Sequence, residues 1–179
     1  ILTLIIFLIN ALFPNRNLPY KTETIEIVTA EEKMIDQKQL KCLADNIFFE
    51  ANGEPKEGKA AVARVVLNRL QHGFASTICN VVYQSKVITK IDDYSLETVN
   101  EKHCQFHWVC EGKRNPNTNS FGYQTSLEVA RDVLEKDMYT DIIPKHVLYF
   151  HNTSVDPDIA KSYIKQIGNH IFYSKPHRK

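Results

Sequence analysis

Two consecutive helical patterns between residues 40 and 72 constrain the fold of this chain more than any other feature. In the first, apolar side chains recur at helical spacing along one face, until Gly53 and Pro55 end the helix: Leu40, Leu43, Ala44, Ile47 and Phe48. The second runs from about residue 57 to residue 72, and its polar positions Arg64, Asn68 and Gln71 form one narrow stripe. We therefore expect the second helix to be buried on most of its sides.

The remainder of the chain predicts shorter elements. Thr77 is placed to cap a short helix over 78–84, and the capping-box pattern at 125–128 predicts a helix that continues to about residue 137. Residues 85–120 show little periodicity and predict a long functional loop. Residues 146–150 and 170–173 combine aromatic and β-branched side chains, which favours short strands. The expected fold class is mostly α (α+β), with a few short strands.

Composition places the chain among ordinary globular proteins. It has 179 residues, a formal charge of +1, 43% hydrophobic and 24% charged residues. These values exclude disordered, collagen-like and polytopic membrane classes. They also argue against a nucleic-acid partner, because there is no surplus of positive charge to neutralise phosphates.

Charge and hydropathy divide the chain into three parts. Residues 1–14 form an apolar run that predicts a signal peptide core or a short membrane tether, and hence export. Residues 15–37 predict a polar, slightly acidic linker. Residues 38–179 predict a single catalytic domain with 19 basic and 16 acidic residues, net +3, a weak bias towards an anionic polymer.

The four cysteines, Cys42, Cys79, Cys104 and Cys110, predict disulfides in an exported protein. Three pairings are possible, and the spacing does not choose among them. A metal site is disfavoured, because the short Cys and His spacings of zinc sites are missing. A free cysteine nucleophile beside His151 or His170 is a competing hypothesis.

Glu50 is the candidate catalytic residue. It follows two Phe residues near the C-terminal end of an apolar helix. The negative end of the helix dipole and the apolar surroundings should both raise its pKa, as a general acid requires. The alternative is an ordinary surface glutamate at a fraying helix end. For Glu54 the simpler explanation is favourable charge at the start of the second helix.

Two aromatic clusters could bind sugar rings, or could simply pack in the core. Together with Glu54, they supply the candidate substrate-binding residues: Gln105, Phe106, Trp108, Tyr149, His151, Asn152, His170 and Tyr173.

Several ordered motifs resemble the SleB-type family of cell-wall hydrolases, which includes spore-cortex-lytic enzymes. They are CLADNIFFEANGEP (42–55), EGKAAVA (57–63), VLNR (66–69), TICNVVYQ (77–84), CQFHWVC (104–110) and LYFHN (148–152). The resemblance covers residues 40–173. It departs from the family pattern at Asn52, where relatives often carry Arg, and at His107, where they often carry Ser. The stretch 85–103 also looks longer than in many relatives.

The resemblance implies a lysozyme-like fold and an enzyme that cleaves peptidoglycan glycan strands between N-acetylmuramic acid and N-acetylglucosamine. It implies Glu50 as the acid of a lytic transglycosylase. We expect the protein to be a monomer that needs no cofactor or metal. A two-carboxylate hydrolase would need a partner about 5 to 9 Å away, from Glu54, Asp92, Asp93 or Glu111. Two further hypotheses are an amidase or Cys peptidase acting on the peptide stems, and a non-catalytic wall-binding module.

Overall fold

A computed structural model describes residues 36–91, 98–113, 115–155 and 162–174. Its elements in chain order are α1 (Gln37–Ala51), α2 (Lys56–Gln71), α3 (Ile78–Val82), β1 (Ser85–Ile91), β2 (Thr98–Cys104), α4 (His107–Cys110), α5 (Phe121–Glu135), β3 (Val147–Asn152), β4 (Ser162–Ile167) and β5 (His170–Ser174). The predicted apolar segment 1–14 and linker residues 15–35 lie outside the described residues. No helix in the described part of the chain is long and apolar enough to cross a membrane.

The two predicted helices are confirmed as the centre of the fold. α1 begins after Asp36, whose side chain caps it by accepting a hydrogen bond from the backbone N–H of Lys38 at 2.8 Å. The apolar face of α1 packs against α5, α2 and α3. α2 is buried along most of its length, since every residue from 58 to 66 is buried, and it contacts α5 on one side and strands β3 and β4 on another.

A three-stranded antiparallel sheet in the order β3-β5-β4 covers one side of α2. Phe172, Val147 and Ile167 of the sheet pack with Ala61 and other apolar residues of α2. The strands expected at 146–150 and 170–173 are therefore confirmed, and β4 is a strand that the pattern did not indicate. The register sets Tyr149 opposite Tyr173 and His151 opposite Ile171, which brings the two predicted aromatic segments side by side.

Residues 85–120 are not one long loop. β1 and β2 form an antiparallel hairpin in which Ser85 pairs with Cys104 and Ile91 with Thr98. The apolar side chain of Val87 is exposed, so at this position β1 has no buried face. An alternation of apolar and polar residues, which would have predicted the strand, is therefore not required here. The short helix α4 follows the hairpin.

Helix α5 begins four residues before the predicted capping box. Ser120 is the actual cap, and its hydroxyl accepts from the backbone N–H of Tyr123 at 3.2 Å. The hydroxyls of Thr125 and Ser126 instead donate to the carbonyls of Phe121 and Gly122, one turn earlier. These two residues therefore lie inside the helix, because their side chains bond back along it rather than starting it.

All four cysteines are paired. The Cys42–Cys79 disulfide joins α1 to α3, and the Cys104–Cys110 disulfide joins the end of β2 to the end of α4. The tertiary fold thus selects one of the three pairings that the sequence left open, and it leaves no free thiol.

Candidate active site

Glu50 lies in the last turn of α1 and is partly buried. Its neighbour Phe49 stacks on Trp108 with ring centroids 4.6 Å apart. Burial raises the pKa of Glu50 from 4.5 to about 7, although the positive charges of Arg69 and Lys113 oppose this increase and Glu111 adds to it. The expectation of a raised pKa, made from the position of Glu50 alone, is confirmed. At neutral pH a large fraction of this side chain remains a neutral acid.

Arg69 lies on α2, and its charge and that of Glu50 each affect the pKa of the other group. Its side chain is 4% exposed, and Nε donates to the carbonyl of Leu148 at 2.8 Å. The guanidinium lies 4.9 Å from the Phe106 ring centroid and 5.7 Å from that of Tyr149. Burial lowers the pKa of Arg69 to about 10, with Tyr149, Glu50 and Tyr173 opposing that decrease.

Sequence reasoning missed Arg69 because it appeared only as one letter of a matching motif. A signal was present: Arg69 lies outside the polar stripe of Arg64, Asn68 and Gln71, on a helix expected to be buried elsewhere. A charged residue on such a face must either find a partner or serve a site, since burying an isolated charge is costly.

Four of the predicted substrate-binding residues are buried: Phe106 at 2%, Trp108 at 3%, His170 at 5% and Tyr173 at 7% exposure. Their burial agrees with the alternative that these rings pack in the core, and their contact with a sugar stays a prediction. The Trp108 Nε1–H donates to Asn46 Oδ1 at 3.0 Å, an interior bond that secures the ring against α1. Burial also lowers the pKa of His170. The negative charge of Glu54 opposes this decrease, whereas the charge of His151 adds to it.

The other five predicted substrate-binding residues keep exposed surface: Glu54, Gln105, Tyr149, His151 and Asn152. Tyr149 stacks on the buried Tyr173 ring at 5.6 Å, and His151 lies 5.4 Å from the same ring. Tyr149 and His151 therefore share Tyr173 as a neighbour, and the Tyr149 ring also lies 5.7 Å from the Arg69 guanidinium. Contact of any of these residues with a substrate remains a prediction.

Glu54 is engaged within the protein. Its two carboxylate oxygens accept from the backbone N–H and the side-chain amide of Asn169, at 3.0 and 3.2 Å. Asn169 follows Gly168 in the turn between β4 and β5, where Gly168 has a φ of +57°. Glu54 therefore connects the α1–α2 turn to the sheet.

Lys59 holds the C-terminal end of α1 in place. Its buried ammonium donates to the carbonyls of Ala51, Asn52 and Glu54, the last two at 2.6 and 3.1 Å. These carbonyls would otherwise lack helical partners, and a cation is favoured at this end of the helix dipole. The contacts hold the backbone that directly follows Glu50.

Besides Glu54, the candidate partners for a two-carboxylate mechanism are Glu111, Asp92 and Asp93. Glu111 forms an exposed ion pair with Lys113 at 2.7 Å, and its charge acts on Glu50. Asp92 and Asp93 lie outside the described residues. Within the described ranges no group of three or more His, Cys, Asp or Glu side chains could hold a metal ion.

One cavity formed by described residues lies away from Glu50. It has a volume of about 380 Å³ and is lined by residues from the start of α1, from α2 and from α5, among them Gln39, Leu67 and Val133. Glu50 is not part of its lining. The chemistry of the buried acid, rather than cavity size, identifies the candidate site.

The described residues form a small, mostly helical domain in which a partly buried carboxyl group has a pKa near neutrality and feels the charge of a buried guanidinium. The chain belongs to the cell wall hydrolase family, whose model matches residues 53–173. That match begins three residues after Glu50 and so does not include it.

Curated relatives agree with this family. The chain is 30% identical over 145 residues to the spore cortex-lytic enzyme of Oceanobacillus iheyensis, covering 76% of this chain and 41% of the relative. It is 27% identical over 161 residues to the spore cortex-lytic enzyme of Bacillus subtilis, covering 87% and 44%. The chain thus spans less than half the length of these relatives.

Solved structures share the fold. The catalytic domain of the germination-specific lytic transglycosylase SleB from Bacillus anthracis matches with a TM-score of 0.54 at 24% identity, covering 79% of this chain and 98% of that domain. The catalytic domain of the Bacillus cereus SleB protein matches with a TM-score of 0.51 at 23% identity, covering 79% and 94%. The expected lysozyme-like, mostly helical fold class is confirmed.

Proposed function

We propose that this chain cleaves the glycan strands of peptidoglycan between N-acetylmuramic acid and N-acetylglucosamine, as a lytic transglycosylase in which Glu50 is the general acid and then the general base. The observation that carries the proposal is the partly buried carboxyl group of Glu50, whose pKa of about 7 keeps it protonated when most carboxyl groups are ionised. The relatives named above as lytic enzymes support the choice of substrate.

The proposed reaction needs one carboxyl group. Glu50 donates its proton to the glycosidic oxygen as the bond from that oxygen to the anomeric carbon breaks. The resulting carboxylate then accepts the proton of the 6-hydroxyl of the same sugar, whose oxygen bonds to the anomeric carbon and closes an anhydro ring. The proton count of Glu50 is restored, and no water is consumed. A pKa near neutrality suits a group that must both give and take a proton.

The residues with exposed surface are the proposed contacts to the glycan: Gln105, Tyr149, His151 and Asn152, with Glu54 supporting the adjacent turn. The net charge of +3 over residues 38–179 suits an anionic wall polymer. The proposed substrate is reached only outside the cytoplasm, so the proposal includes export. We expect the domain to act as a monomer.

The test compares the wild-type chain with Glu50→Gln on purified peptidoglycan sacculi. We expect soluble fragments with anhydro-muramic ends from the wild type, detected by mass spectrometry, and at least a 100-fold lower rate from Glu50→Gln, within the range for loss of general acid–base catalysis. Glu57→Gln is the matched control, because this glutamate lies exposed in the first turn of α2. Full activity in Glu50→Gln would refute the assigned role.

A hydrolytic glycosidase is the second candidate, favoured by the influence of Glu111 on Glu50. Hydrolysis would release fragments with reducing ends, and Glu111→Gln would then be as inactive as Glu50→Gln. A Cys peptidase has no support, because all four thiols are in disulfides. Binding of sacculi without release of any fragment by the wild type would instead indicate a wall-binding module.

A further inference from the structure

We propose that Arg69 is a positioning residue whose charge stabilises the Glu50 carboxylate during the interval between its two proton transfers. This inference rests on the proposed function, because only a reaction that passes through an ionised Glu50 gives such a cation a part to play. It concerns a residue that the sequence analysis did not single out.

The guanidinium of Arg69 is fixed in orientation but incompletely bonded. Its Nε donates to the carbonyl of Leu148, and the rings of Phe106 and Tyr149 lie within 6 Å of its centre. One terminal nitrogen, Nη1, is buried without any hydrogen-bond partner. Among the residues that the structure describes, none forms an ion pair with Arg69.

Arg64 on the same helix provides a contrast. It is also buried, at 8% exposure, but both of its terminal nitrogens donate to Asp137, at 3.0 Å each, and one also donates to the carbonyl of Met138. Arg64 therefore has the anionic partner that a buried arginine ordinarily requires. Arg69 has no such permanent partner among the described residues, although it is less exposed.

The acid that Arg69 can serve is Glu50, because both residues pack against the same short segment: the Arg69 guanidinium lies 4.9 Å from the Phe106 ring, and Phe49, the neighbour of Glu50, stacks on Trp108 at 4.6 Å. Each charge acts on the other: Arg69 lowers the pKa of Glu50, and Glu50 raises the pKa of Arg69. The other charges that act on Glu50 are those of Glu111 and Lys113, which follow α4 and form an ion pair with each other. Among the described residues, Arg69 is thus a buried cation of the neighbouring helix α2 whose charge acts on the acid.

This arrangement suits an acid that becomes a base. While Glu50 is protonated, the attraction to Arg69 is weak, and the proton is available to the glycosidic oxygen. Once the proton has left, the carboxylate is attracted to a guanidinium that Leu148 and two aromatic rings already hold in place. A preorganised charge of this kind stabilises the developing anion without having to reorient during the reaction.

The test is the pH dependence of kcat/KM for Arg69→Gln, measured on soluble fragments of sacculi. Without the Arg69 cation, the pKa of Glu50 should rise, because burial and Glu111 raise it and one opposing charge is gone. Activity falls at alkaline pH as Glu50 loses its proton, so this limb of the profile should move to higher pH by about one unit. The maximal rate should also fall at least about tenfold. Arg64→Gln is the matched control, since it removes a buried arginine from the same helix and should leave the limb in place.

Arg69→Lys keeps a cation and loses the bond to Leu148, so its limb should remain within about half a unit of the wild type. If Arg69→Gln does not fold by circular dichroism, the limb of Arg69→Lys decides: a shift of one unit or more overturns the inference. An unmoved limb in a folded Arg69→Gln also overturns it. Retained activity in Glu50→Gln would instead overturn the proposed function, so the two failures are distinguishable.

Discussion

Replacing Glu50 with Gln should stabilise this domain at alkaline pH, because the site keeps an acid where its ionised form is disfavoured. Burial raises the pKa of Glu50 from 4.5 to about 7. Between these pH values the folded protein retains a proton that the unfolded chain has released. The stabilisation from this group is therefore complete below pH 4.5 and is lost as the pH rises through 7.

The magnitude follows from that interval. Each tenfold change in proton affinity corresponds to about 1.36 kcal/mol, so the wild type should lose about 3 kcal/mol of unfolding free energy between pH 4.5 and pH 8 from this group alone. The loss is smaller where water reaches the partly exposed carboxylate. Glutamine cannot ionise, so Glu50→Gln should not show this loss.

Urea unfolding of both proteins at pH 4.5 and pH 8 measures the effect. Any packing change caused by the substitution contributes equally at both pH values and cancels when the two differences are compared. The exposed control Glu57→Gln should follow the wild type at both pH values. If the stability advantage of Glu50→Gln changes by less than about 0.5 kcal/mol between the two pH values, the argument for a buried acid is refuted.

Two other substitutions test how the site is supported. In urea unfolding, Gly168→Ala should lose about 1 to 2 kcal/mol more stability than Gly73→Ala. Both positions have positive φ, but only at Gly168 would the new Cβ displace the Glu54 carboxylate. Equal losses would contradict the role of that contact. Replacing Cys42 and Cys79 together with Ala should cost about 2 to 4 kcal/mol, because their disulfide closes a 37-residue separation; unchanged thermal unfolding would contradict it.

Local pattern alone was sufficient to predict the two central helices and the raised pKa of Glu50. Helical spacing of Leu40, Leu43 and Ile47 predicted α1 because a helix that packs on a core must keep one apolar face. The raised pKa of Glu50 was predictable from its position after two Phe residues on this apolar helix, which indicated burial. The hairpin β1–β2 was not predictable, because a strand without a buried face needs no alternation of apolar and polar residues. The start of α5 was not predictable either, because a capping pattern can also occur inside a helix.

The sequence by itself determined two central helices, an acid at the end of the first of them and an even set of cysteines. Tertiary structure decided the cysteine pairing, the burial of Trp108 against Asn46, the engagement of Glu54 by Asn169 and the coupling of Arg69 to Glu50. Apart from the Cys104–Cys110 disulfide, whose members are 6 residues apart, each of these joins segments that are distant in the chain or lie on different helices. Periodicity reports which face of an element is buried, but the partner of that face is selected only when the elements pack together.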